Sequence, residues 1–316
     1  MKRLIWIAVT VLATVQLKAQ YDPAFTNSWA LQSFYNPAAA GVDGHLNIQG
    51  GYSMQMTGYD GAPKTMLVTA DLPLTFWSPK HAVGAGFMND AVGLFSNKKI
   101  YVQYALHLPI GWQKKGKLSV GARFVIVSEK FDGSGVDTDE SNDKAFPTSE
   151  VSGFAIDADA GVRFTWMDVW YVGASMMHIT SPTVELGDDK VNEMGIDAIY
   201  YLTGGYKLRF RDRRYCLDTH GIVRTDFQSV RGDMTARLMY EGSKNKLYGG
   251  VMYSPTVSVG FLFGMNFHGV NIGYSYEMYT GGVGLQNGTH EIVLGYQMDM
   301  NKGKRGKNLH KSVRYL

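Results

Sequence analysis

The chain has 316 residues, 45% of them hydrophobic, a formal net charge of +3 and a single cysteine. This length suits one large domain, the charge is too small to imply nucleic acid, and a lone Cys216 excludes an intramolecular disulfide framework. Evenly spread tyrosines and glycines suit repeated strands and turns.

The first element is MKRLIWIAVTVLATVQLKAQ. Lys2 and Arg3 form a basic start, residues 4–15 are apolar, and Leu17-Lys18-Ala19 is an acceptable small-residue cleavage site. Residues 1–19 therefore read as a secretory signal peptide, leaving a chain that begins at or near Gln20. The stretch is short for a retained spanning helix. Residues 20–44 form an N-terminal segment, periplasmic or lumenal, that contains the run NPAAAGVDG. It is too short to bury anything itself and too rich in small residues to be a helix face.

From residue 45 the main signal is alternation. In 154–166, Phe154, Ile156, Ala158, Ala160, Val162, Phe164 and Trp166 share one face, against Asp157, Asp159, Gly161, Arg163 and Thr165. In 270–278 the apolar face is Val270, Ile272, Tyr274, Tyr276 and Met278. Period two means strands with one apolar and one polar face. We place about fourteen, at 45–57, 64–74, 81–90, 98–110, 117–130, 153–166, 168–180, 197–210, 215–227, 232–242, 246–254, 256–267, 269–279 and 289–300. Many are as long as a tilted strand must be to cross a bilayer. Pro79, Pro109, Pro182 and Pro255 all fall at strand ends, as a hydrogen-bond ladder requires.

The connections alternate. Those after odd-numbered strands include 131–152, 181–196 and 280–288, and the first is acidic through Asp132, Asp137, Asp139, Glu140, Asp143 and Glu150. Those after even-numbered strands are short and mostly basic, as in GWQKKGK and RFRDRR. Long outer loops and short periplasmic turns are the sidedness of an outer-membrane barrel. A soluble antiparallel barrel or sandwich would share the period but bury the apolar face. The predicted fold is an all-β transmembrane antiparallel barrel over 45–300, with lipid against Phe154 and Tyr274. Asp157, Asp159, Arg163, Arg237 and Glu277 then face the lumen.

No catalytic constellation stands out, so no enzyme activity, cofactor or metal is expected. His290-Glu291 has no second histidine four positions on. GVGLQNG at 282–288 lacks a strand-to-helix context, and DTDESND at 137–143 lacks the central glycine and terminal glutamate of a calcium loop. Asp218, His220, Arg224 and Asp226 are expected on the polar face of one strand as a charge-satisfying lumenal network. Cys216 is expected to be an inert small side chain. The tail over 301–316 carries Lys302, Lys304, Arg305, Lys307, Lys311 and Arg314 with no acid. Its charge suits anionic lipid headgroups or an acidic partner.

YDPAFTNSWALQSFYNPAAAGVDG after a signal peptide resembles the entrance of the PorP/SprF family of type IX secretion proteins. The matching positions are Asp22, Pro23 and Phe25, then Asn36, Pro37, Ala38, Ala40 and Gly41. IGYSYEMY and GTHEIVLGY resemble that family's last two strands. The resemblance implies a non-enzymatic outer-membrane component of the machine that moves cargo to the cell surface, in some members supporting gliding. It implies partners among periplasmic ring lipoproteins and peptidoglycan-linking proteins. For these, Arg209, Arg211, Arg213 and Arg214 in one turn, with Lys302, Lys304, Arg305 and Lys307, are candidate contacts. The competing reading is a pore or transporter for small solutes, supported by the polar lumen. NPAAAGVDG then reads as a connector whose small residues let the backbone pass close to the barrel wall.

Overall fold

The computed structural model describes residues 22–74, 80–135, 149–187, 192–242, 245–281 and 287–300. The leader 1–19, the acidic run 137–143, most of GVGLQNG and the tail 301–316 lie outside the described residues. So does Pro79.

In chain order the strands are β1 (His45–Met54), β2 (Lys64–Pro73), β3 (His81–Val92), β4 (Phe95–Ile110), β5 (Gly116–Asp132), β6 (Glu150–Trp166) and β7 (Trp170–Met177). There follow β8 (Thr183–Leu186), β9 (Asn192–Gly195), β10 (Ile199–Arg209), β11 (Tyr215–Thr225), β12 (Val230–Glu241), β13 (Asn245–Ser254), β14 (Ser258–Phe267), β15 (Val270–Tyr279) and β16 (Thr289–Asp299). Among the described residues, fourteen of these close into one antiparallel barrel. β1 shuts the sheet against β16, with His45 opposite Asp299 and Met54 opposite His290. All fourteen fall on the segments that alternation marks out.

β8 and β9 pair only with each other and are not in the barrel. Their hairpin lies inside the connection 181–196, where four-residue strands leave no readable alternation. It folds back on β6 at Gly153, where a Cβ would come within 2.1 Å of the Glu185 carbonyl oxygen. Val184 and Leu186 are buried beneath it.

The faces are inverted relative to a water-soluble sheet. On β6, Phe154, Ile156 and Val162 are exposed on the outside, while Asp157, Asp159, Arg163 and Thr165 are buried within. Val102, Phe124, Ile126, Leu202, Phe263 and Leu294 extend that outer apolar surface to other strands. A continuous belt of this kind needs lipid, not water. Paired rings stand at its two borders: Phe164 with Trp170 and Tyr215 with Tyr240 near the short turns, Tyr200 with Phe227 near the longer loops. Aromatic girdles of this kind mark the two membrane interfaces. No helix of the described residues is long and apolar enough to cross a membrane; the strands do so.

The interior departs from a simply polar lumen. Leu67, Met88, Tyr101, Val125, Met177, Tyr201, Ile222 and Val293 point inward and pack with Phe25, Leu31, Phe34 and Tyr35 of the N-terminal segment. The core of the molecule is therefore inside the barrel, between wall and segment.

Tyr274 sits outward in the middle of β15, its ring 5.3 Å from that of Phe263. Asn271 lines a lumenal cavity. Tyr274→Arg should cost about 2–4 kcal/mol of stability in lipid if it lies near the midplane, and Asn271→Arg much less. Urea titration of the two refolded variants in vesicles checks this, and equal midpoints would refute the facing.

Candidate functional site

Residues 22–44 run through the barrel, starting among the ends of β3, β4 and β5 that lead to the longer loops and finishing at the short-turn end, where β1 begins. The segment is a chain of tight turns followed by one helical turn, α1 (Gln32–Tyr35). Asn36 stops that turn in an extended conformation (φ −144°, ψ 111°). The following Pro37 disfavours helical geometry for it. The Asn36 carboxamide oxygen then accepts from Ala38 N at 2.9 Å and caps a 3₁₀ turn, Pro37–Ala39.

At its upper end Asp22 is buried and paired with the Lys99 ammonium. His178 lies beside both, with Nε2 2.7 Å from Lys99 Nζ and Nδ1 2.5 Å from Asp157 Oδ2. Burial alone would raise the Asp22 carboxyl, but Lys99 and His178 outweigh it and hold it well below the usual carboxylate range. The Tyr35 hydroxyl accepts from Phe25 N at 3.1 Å and donates to Pro23 O at 3.3 Å. One side chain thus ties the Asp22-Pro23-Ala24-Phe25 element to the segment that leads into Asn36-Pro37.

The turn after Phe25 is held by a carboxylate on the last strand. Glu291 is 0% exposed and accepts from Thr26 N at 2.8 Å, Asn27 N at 2.9 Å and Asn27 Nδ2 at 2.7 Å. Glu277 accepts from the Thr26 hydroxyl at 2.9 Å. Buried backbone N–H groups outside regular structure need such partners. On the other wall Arg123 donates to Ser33 O, to Asp159 at 3.1 Å and to Gln103 at 3.0 Å, and stacks over the Tyr101 ring.

NPAAAG lies against a patch of wall without side chains. A Cβ at Gly121 would come within 2.3 Å of Ala38 N, and one at Gly161 within 2.2 Å of Asn36 Oδ1. Gly121 and Gly161 face each other across β5 and β6. Asn36 Nδ2 donates to Val162 O at 3.0 Å. Ala40 packs on Ala82 and Ala105, and Gly41, at φ 62°, donates its N–H to Asp71 at 2.7 Å. The small residues of the motif and the bare glycines of the wall are one contact surface. Nothing in the sequence pattern of β5 or β6 marks those glycines as a seat for Asn36-Pro37-Ala38.

Below the plug two cavities open at the short-turn end, of about 440 and 270 Å³, and both are lined by Trp29, Asp43 and Arg237. They share no lining residue with a third of about 340 Å³ at the other end. The Arg237 guanidinium lies 3.3 Å over the Trp29 ring and pairs with Asp218 at 2.8 Å.

Asp218, His220 and Arg224 share the inward face of β11, the first two lining one cavity, but each has a different partner. Asp218 pairs with Arg237, His220 meets Tyr171 at 2.5 Å and Arg224 pairs with Asp233 at 3.0 Å. Asp226 is not in the lumen network; it lies past β11 and accepts from Ser229 N in the turn. β11 ends at Thr225, so the period of two no longer fixes the face of Asp226. Cys216 is buried and free, facing inward.

Arg209 ends β10, and Arg211, Arg213 and Arg214 are in the exposed turn beyond it. Asp212 takes Arg214 in a forked pair, its Oδ2 2.7 Å from the guanidinium. The excess charge of the turn therefore belongs to Arg209, Arg211 and Arg213. Lys302, Lys304, Arg305 and Lys307 are beyond the described residues. Among the described residues no cluster of histidine, cysteine and acids is arranged to hold a metal.

A closed antiparallel barrel with a lipid-facing belt, its lumen filled by its own N-terminal segment, is a plugged outer-membrane β-barrel protein. The match to family models is equally direct. Residues 17–296 match the model for the type IX secretion system membrane protein PorP/SprF, and the chain belongs to that family. The chain is thus an outer-membrane protein; barrels of this type carry their short turns on the periplasmic side. No curated protein matches. Among solved structures, a FadL homologue from Pseudomonas aeruginosa is similar at 10% identity and TM-score 0.49, over 81% of this chain and 89% of that one. The Pseudomonas putida toluene transporter TodX is similar at 9% and 0.46, over 86% and 93%. Omp33 from Acinetobacter baumannii is similar at 9% and 0.44, over 80% and 98%. Values this low say nothing about ligands.

Gly121→Ala should force the plug from its seat at a cost of about 1–3 kcal/mol, whereas Gly221, with open space around its Cβ position, should accept alanine. Thermal midpoints in detergent compare the two. The Asp22 anchor has its own signature. Its folded pKa is depressed, so its contribution is complete above the ordinary carboxylate value and is lost as pH falls through the folded one. Wild type should lose stability on acidification below about pH 4, and Asp22→Asn should lose less over the same interval.

Proposed function

We propose that this chain is a closed, non-enzymatic docking component of the type IX machine. It binds a periplasmic ring lipoprotein or a peptidoglycan-linking protein and supports export of cargo to the cell surface. The observation that carries the reading is the plug. Residues 22–41 are held by side chains of strands from β2 to β16, and the cavities at the two ends are lined by different residues. A barrel filled this way suits a fixed platform better than a conduit. The surface offered to the periplasm is basic at Arg209, Arg211 and Arg213, with the tail 301–316 extending the charge. Such charge sets approach and orientation toward an acidic partner face.

Deleting residues 301–316 should reduce recovery of partners from mild detergent while leaving the barrel folded, because β16 ends at Asp299. Reversing Arg209, Arg211 and Arg213 should add to the loss, and raised salt should mimic it. Reversing Arg214 as well should add little. A truncated protein that recovers every partner and secretes normally would refute the basic face as the contact. Rapid sugar flux in liposome swelling would instead favour a small-solute pore.

A further inference from the structure

On the outer face of β2 to β6, side chains form rows across the strands that change character toward the long-loop end. One row is wholly apolar, with Val68, Phe87, Ile100, Ile126 and Ile156 opposite one another in register. In the next, about 7 Å nearer the loops, Asn89, Lys98 and Ser128 stand between Met66 and Phe154. The row after that holds Lys64, Ala91, Ser96, Lys130 and Ser152. Alternation points all of these outward, while Thr65, Lys99 and Glu129 are buried on the inner face. The boundary between acyl chains and headgroups therefore crosses this wall near Lys98.

The three lysines form a triangle. Lys98 and Lys130 are diagonal neighbours on adjacent strands, about 8 Å apart at the backbone. Lys64 is three strand spacings from Lys130, about 14 Å. Lys64 and Lys98 are exposed and make no ion pair among the described residues. Lys130 meets Glu150 at 2.5 Å, but that pair is partly exposed and contributes little. It leaves Lys130 able to turn to a stronger anion. At the matching ends of β1, β10, β13 and β15 the outward residues are Met54, Tyr200, Tyr253 and Met278. Among the described strand positions facing outward at this rim, lysine is confined to one sector.

With the short turns on the periplasmic side, this rim lies in the outer leaflet. The concentrated anion at that depth is the phosphate of lipid A, the glycolipid of which that leaflet is built. We propose that Lys64, Lys98 and Lys130 seat the phosphorylated sugar headgroup of one lipid A molecule, its acyl chains lying on the apolar row beneath. Lysine suits this position, because its stem lies along apolar surface while the ammonium rises to the headgroup. Asn89, which accepts from the Ser96 hydroxyl at 3.2 Å, stands between Lys64 and Lys98 and can meet the sugar. A protein partner fits less well, since the row directly below belongs to the lipid belt. The inference rests on the outer-membrane placement and is independent of which secretion partner binds at the opposite rim.

The test strips the purified protein of lipid in mild detergent. It is then titrated with diphosphoryl lipid A, or with the same glycolipid after its phosphates are removed. Native mass spectrometry reads the bound lipid. Wild type should retain one diphosphoryl lipid A at about twentyfold lower concentration than the dephosphorylated form. Combining Lys64→Gln, Lys98→Gln and Lys130→Gln should abolish that preference, and Lys98→Gln alone should weaken it about fivefold. Lys114→Gln, Lys115→Gln and Lys246→Gln together remove the same charge from exposed positions at the other rim and should leave retention unchanged. Heat-modifiable migration on gels reports folding, and if the triple variant fails to fold, Lys98→Gln decides. Inorganic phosphate should not displace the lipid, because it lacks the acyl chains. The proposal is overturned by equal retention of the two glycolipids, by Lys98→Gln binding as wild type does, by equal losses in the two triple variants, or by displacement with inorganic phosphate alone.

Discussion

A chain passed through a closed barrel carries backbone N–H and C=O groups into a space where neither a ladder nor bulk water can take them. That constraint governs the interior of this protein. The plug satisfies many of its backbone groups within its own tight turns and its single turns of α- and 3₁₀ helix, and side chains from the wall take several of the rest. Glu291 takes two backbone amides and one carboxamide. Asp71 takes the amide of Gly41, Ser175 donates to Tyr35 O and Lys117 donates to Val42 O. Several lumenal side chains, Glu291 and Asp71 among them, meet the plug backbone, and removing one leaves a buried group open on the other side.

The same arrangement explains the mixture of chemistry inside. Charges hold the backbone of the plug, and an inward apolar ring holds its side chains. Val125, Tyr201 and Ile222 would be out of place in a water-filled channel, but Phe34 and Tyr35 cover them. Apolar contact supplies cohesion without direction, and the hydrogen bonds fix which residue sits where. Lys99, Asp22, His178 and Asp157 extend this logic toward the outer end as a chain of alternating partners.

Much of the barrel was legible in the sequence because the membrane imposes a strict rule on one face of each strand. Phe154, Ile156 and Val162 alternate with Asp157, Asp159 and Arg163 for that reason alone. The hairpin of β8 and β9 obeys no such rule, since it does not touch lipid, and its alternation is too short to read. The seat of the plug was equally silent. Gly121 and Gly161 look like ordinary strand glycines until Pro37 and Ala38 are placed against them. His290-Glu291 shows the limit well. As a sequence pair it resembles half a metal motif, yet its two side chains point to opposite faces of the sheet, the histidine toward Tyr274 outside and the glutamate toward Thr26 and Asn27 inside. The motif residues Asp22, Phe25, Asn36 and Gly41 were visible as a pattern, but their partners, scattered from Tyr35 to His178, were not.

The contact between Thr26 and Glu291 joins positions 265 apart. It sets an order of events. Glu291 is on the strand that closes the barrel against β1, so the earliest part of the exported chain cannot find its place until the latest part has been made. Until the barrel closes, Phe25, Leu31 and Phe34 lack the inward-facing side chains that bury them. Contacts of such long range are slow to form. Seating the plug is therefore tied to closure of the barrel, since Glu291 takes part in both.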